Sequence, residues 1–214
     1  MANAFFPRIL ALLAITLIPA AAAHAQPSVT CSGVAGTNCL VQIPDGLQPA
    51  ITSSMVVPAG ALQCARGIAG VGVRVDVAHA WIGDLRVRVT APNGQTATLL
   101  DALQRPPASS CDNDDIRASF FDVAPTATCS TGYPALAGTA RPVTPLAPLA
   151  GTLAGTWQLS VQDLVNGNNG LLNNWGLELR CLPEEIPSQS NRGLLLLGML
   201  LLLAGLAAVR GLRS

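Results

Sequence analysis

Valine recurs at every second position from Val71 to Val77, with Arg74 and Asp76 between. A period of two puts the valines on one face of an extended strand and the charges on the other. A helix cannot present that pattern. It returns further on: Leu85, Val87 and Val89 alternate with Arg86 and Arg88, and Trp157, Leu159 and Val161 alternate with Gln158 and Ser160. Trp175, Leu177 and Leu179 share one face of a final strand. Ser53–Pro58 reads as a short strand, Ser119–Phe121 as another, and Thr96–Leu100 as the hairpin partner of Leu85–Thr90. The turn between those partners is Pro92-Asn93-Gly94, where proline presets φ and glycine accepts positive φ. Short alternating strands with frequent turn signals predict an all-β chain and a β-sandwich. Residues 26–51 read as a loop-rich lead-in, and 131–156, rich in Pro, Gly and Ala, as an ordered crossing loop.

Both ends differ from this middle. Residues 1–25 carry one positive charge, Arg8, then an apolar run from Ile9 to Ile18, Pro19, and the small-x-small triplet Ala23-His24-Ala25. That is the layout of a signal peptide, removed by signal peptidase. Gly193 to Val209 has no charge and is rich in leucine, with Arg210 and Arg213 after it. Seventeen helical residues span roughly 26 Å, near the lower limit for a transmembrane helix. The trailing arginines place the C-terminus in the cytoplasm. The expected organisation is therefore 1–25 signal peptide, 26–51 lead-in, 52–182 β-sandwich, 183–193 linker, and 194–214 hydrophobic helix with a basic end. The expected location is the cell envelope, either anchored in the membrane or released after C-terminal processing.

All six cysteines lie in the exported part. An even count in an oxidising compartment implies a disulfide framework. Cys31–Cys39 and Cys111–Cys129 each bracket a turn-rich loop, which leaves Cys64–Cys181. A zinc site is the weaker alternative, with no C-x-x-C and one histidine, His79, in the mature chain. The middle has a net charge of about −2 and no basic stripe, which argues against nucleic acid.

The block His79-Ala-Trp-Ile-Gly-Asp-Leu85 followed by Ala91-Pro-Asn-Gly94 resembles the signature of the P domain, also called P/Homo B. Phe121-Asp122, Arg141-Pro142, Gly155-Thr-Trp157, Val161-Gln-Asp163 and Trp175-Gly-Leu177 follow in order, so the resemblance covers about 52–181. Val123 departs from it, standing where bacterial relatives often carry a second Asp. In proprotein convertases and secreted bacterial proteases this domain follows a subtilisin-like catalytic domain and supports it. The resemblance implies a jelly-roll-like β-sandwich, no catalysis by this domain, and association with a serine endopeptidase. It also raises the expectation of calcium. Oxygen-rich loops suit that ion, and the candidates are Asp112, Asp114, Asp115 and Asp122, with Asp84 and Asp101 from neighbouring loops.

No serine–histidine–carboxylate set and no G-x-S-x-G elbow is visible. His79 reads as a hydrogen-bonding residue at a strand end, and Trp157 and Trp175 as core. The segment Ile186-Pro187-Ser188 through Gly193, with the leucine-rich helix and arginines after it, is similar to the IPTL-CTERM sorting signal, which implies handling by an exosortase. The expected function is a non-catalytic interaction module, accessory to a separately encoded protease. The alternatives are a surface adhesin or glycan-binding module and a hydrolase with an unrecognised site.

Overall fold

The computed structural model describes residues 26–33, 38–101, 111, 113–183 and 198–203. The signal-peptide segment, Asp112 and the motif residues Ile186, Pro187, Ser188 and Gly193 lie outside them. Residues 198–203 are helical, and among the described residues no helix is long and apolar enough to cross a membrane.

Among the described residues ten strands form two sheets: β1 (Ser28–Thr30), β2 (Val41–Ile43), β3 (Ile51–Val57), β4 (Ile68–His79), β5 (Leu85–Thr90), β6 (Thr96–Asp101), β7 (Ile116–Phe121), β8 (Leu136–Ala140), β9 (Gly155–Asp163) and β10 (Gly170–Cys181). The first sheet runs β1-β10-β4-β7-β8, with β2 also on β10; the second runs β3-β9-β5-β6. The alternating residues face inward as the period of two requires. Val71, Val73, Val75 and Val77 meet Leu85, Val87, Val89, Leu159 and Val161 in one core between the sheets. Trp157 and Trp175 are its largest buried side chains, and rings of this size each remove roughly 150–250 Å² from water. The Trp175 indole N–H donates to Ser53 Oγ at 2.8 Å, and that hydroxyl donates to Asn38 O at 2.6 Å. A buried indole donor from one sheet is thus satisfied by the other.

Two expectations are corrected here. The lead-in is not only loop: β1 and β2 both pair antiparallel with β10, β2 along 170–172 and β1 along 176–178. The 131–156 stretch contains β8, which pairs parallel with β7, and a 3-10 turn at Ala147–Gly151. The three disulfides are Cys31–Cys39, Cys64–Cys181 and Cys111–Cys129. The first ties β1 to the approach to β2, and the second joins the start of β4 to the end of β10.

Candidate functional site

The end of the sandwich at His79 gathers the turn after β4, the segment before β7 and the turn between β9 and β10. Residues Ile82–Asp84 form a 3-10 turn. The Ile82 and Gly83 N–H groups donate to Asn113 O at 3.2 Å and Cys111 O at 3.0 Å, and Leu164 N–H donates to Asp84 O at 3.0 Å. These bonds hold the three loops as one rim.

His79 is the rim's centre. It pairs across the sheet with Gly170, and a Cβ at residue 170 would lie 2.6 Å from the imidazole Cδ2. The glycine is therefore required by close approach rather than by backbone freedom. His79 Nε2 is 3.3 Å from Asp163 Oδ2, with both side chains fully buried. Asp163 Oδ1 accepts from Val165 N–H at 3.0 Å. His79 Nδ1 lies 3.1 Å from Trp81 N and 3.0 Å from Trp81 O. A proton on Nε2 lets the ring donate to Asp163 and accept from Trp81 N–H, so one neutral tautomer satisfies both neighbours. This arrangement locks a turn.

Asp115 is clamped to the same residue through the backbone. Its N–H donates to His79 O, and His79 N–H donates to Asp115 Oδ1, both at 3.0 Å. Its φ is +71°, a left-handed position that Asp tolerates better than most residues. Its second oxygen faces Arg117 Nη2 at 3.9 Å. Arg117 donates to the Tyr133 hydroxyl at 3.1 Å and lies 5.2 Å from the ring centroid. A hydrogen bond to Asp115 raises the Tyr133 pKa above its ordinary 10.0, with the carboxylate's charge adding to the effect and Arg117 opposing it. Beside this trio an open pocket of about 360 Å³ is lined by His79 and Asp115 together with Gln42, Asp114, Asn169 and Leu171 and the small residues Ala78, Ala80 and Gly170.

Of the six aspartates expected around calcium, Asp112 lies outside the described residues, and the other five are not gathered into one site. Asp115 and Asp122 flank β7, whose length separates them by roughly 23 Å at 3.3 Å per residue. At that far end Asp122 accepts from Leu146 N–H at 2.7 Å and Ala147 N–H at 2.9 Å, closing the crossing segment onto β7. Asp101 pairs with Arg86 Nε at 3.2 Å. Asp84 sits in the 3-10 turn, and Asp114 is exposed beside the pocket. Among the described residues no group of three or more Asp, Glu, His or Cys is placed to share a metal ion.

Sequence reasoning places His79 at a strand end and Asp163 in the Val161-Gln-Asp163 block but does not pair them, because 84 positions separate the two. Tyr133, Arg117 and Gln42 were unmarked. Each sits in a turn or on an outward strand position, where no pattern singles it out.

Two facing sheets, three bridges and a buried histidine–aspartate lock define a small disulfide-braced β-sandwich. The chain belongs to the Proprotein convertase P-domain family, whose model it matches over residues 68–136 and 140–179. It is 29% identical over 137 residues to the Transglutaminase-activating metalloprotease of Streptomyces mobaraensis, covering 64% of this chain and 14% of that protein. Solved structures of an Aeromonas sobria serine protease align with 72% of this chain and 27% of theirs. The complex with a chaperone gives 13% identity and a TM-score of 0.34, and the protease alone gives 14% and 0.32.

Proposed function

We propose that this chain is a non-catalytic P-domain module that works by binding and supporting a protein partner, foremost a separately encoded subtilisin-like serine endopeptidase. The observation that carries the reading is the state of His79. The mature chain's one imidazole is fully buried, with both nitrogens engaged inside a family fold. A general base must reach the proton it abstracts, and this ring is enclosed by its own domain. The family match and the likeness to a metalloprotease support proteolysis by association. Export by signal peptidase, a membrane anchor, and release by an exosortase belong to the same proposal.

Calcium enters the proposal only at the segment carrying Asp112 and Asp114. Melting that rises with millimolar calcium, and loses that response in Asp114→Ala but keeps it in Asp122→Ala, would support it. Identical curves with calcium and with chelator would dismiss it.

The test of the main reading is direct. Purified chain should release no product from casein or fluorogenic peptide substrates, and His79→Gln should change nothing but stability. Turnover by the purified chain that disappears in His79→Gln would establish a hydrolase instead.

A further inference from the structure

The two outer faces of the sandwich differ in charge. The six-stranded sheet presents Arg74, Asp76, Arg117, Glu178 and Arg180, the mixed charges of an ordinary solvent face. The four-stranded sheet presents hydroxyls and amides. Register aligns Thr52, Ser160, Arg88 and Thr98 in one row, and Ser54, Gln158, Thr90 and Thr96 in the next. Its inward positions, including Asp163, are buried. Three charged residues lie on the outer face among the described residues: Arg86, the Asp101 opposite it, and Arg88. Arg86 is neutralised by Asp101 at 3.2 Å. Arg88 is exposed and makes no ion pair with any described residue.

We infer that this outer face is where the module docks a second protein, and that the partner brings a carboxylate to Arg88. The inference rests on the accessory reading above and names its surface. Depletion of charge marks interface centres more reliably than bulk hydrophobicity does. A single uncompensated guanidinium among neutral hydrogen-bonding groups calls for one carboxylate, bound by two parallel bonds. A second copy of this chain is the wrong occupant, because an isologous contact offers Arg88 only this same face, whose one carboxylate among the described residues, Asp101, already pairs with Arg86. Four strands at about 4.8 Å and six residues at about 3.3 Å give a face of roughly 400 Å². That is about half the area a standard interface takes from each partner, so the contact is a weak one unless the partner reaches over the rim.

The chain contains no lysine, which makes the test clean. Full-length Arg88→Lys places one reactive amine on this face, and Arg74→Lys places one on the other sheet. Each is incubated in envelope extract of the source cells with a carbodiimide, which joins amines to carboxylates in contact. Wild-type protein sets the background, and melting temperature confirms folding. The expected result is one discrete adduct from Lys at 88, linked to an Asp or Glu of a different protein, and none from Lys at 74. Adding Ser160→Trp, directly opposite residue 88, should remove at least nine-tenths of it. No adduct at 88, the same adduct from both faces, or links only to this chain's own carboxylates would overturn the inference. An adduct from 74 alone would overturn the face while leaving the accessory reading in place.

Discussion

Aspartates and a tyrosine do most of the local work at the His79 end. Asp163 orients the imidazole, and Asp115 ties the segment before β7 to the end of β4. Both behave as buried anchors that satisfy donors which would otherwise cost about 1–3 kcal/mol each. Tyr133 reports on the second anchor. It is the chain's one tyrosine, so its ionisation can be followed alone by absorbance near 295 nm. Its hydrogen bond to Asp115 raises its pKa. The linkage follows in sign: the neutral phenol is favoured in the folded state, and the stabilisation is complete below the ordinary value. It is lost as pH rises through the raised value. The native chain should therefore titrate above the denatured chain, and Asp115→Asn should bring the two curves closer. A native curve at or below the denatured one would break the proposed contact.

At the scale of elements, legibility followed the strength of side-chain alternation. β4, β5, β9 and β10 were readable because large apolar residues fall on every second position over long runs. β1 and β2 have three residues each, too few to show a period, and backbone pairing to β10 defines them. β8 reads Leu-Ala-Gly-Thr-Ala with only its end residues buried, so nothing in its composition separates it from the surrounding turns. Two of the aspartates part for a related reason. Asp115 and Asp122 are close in sequence, but an extended strand sends them to opposite ends of the domain. The cysteines were legible because two pairs bracket turn-rich loops, which leaves Cys64 and Cys181 for each other. The lead-in also explains a glycine. A Cβ on Gly176 would collide with the backbone of β1 at Val29. Gly176→Ala should displace β1 and destabilise by about 1–3 kcal/mol, read as faster amide exchange at residues 28–30. Exchange there unchanged would mean β1 docks without needing that space.

The whole molecule is held at its far end by Cys64–Cys181, which closes a separation of 117 residues. A loop of that length should contribute roughly 4–5 kcal/mol by restricting the unfolded chain. Cys64→Ser with Cys181→Ser should lower the denaturant midpoint far more than Cys31→Ser with Cys39→Ser, whose loop spans 8. Equal losses would place the stabilisation in native packing rather than in chain entropy. The same braced sandwich underlies the proposed function, since a module that encloses the one imidazole among its described residues is read as acting through its surface. The central claim is support of a protease by association. The most direct measurement is the half-life of serine endopeptidase activity in envelope extracts from cells lacking this chain, with and without purified chain added back. Added chain, wild-type or His79→Gln, should lengthen the half-life severalfold while contributing no activity of its own. A half-life indifferent to the chain, at any concentration tested, would contradict the claim.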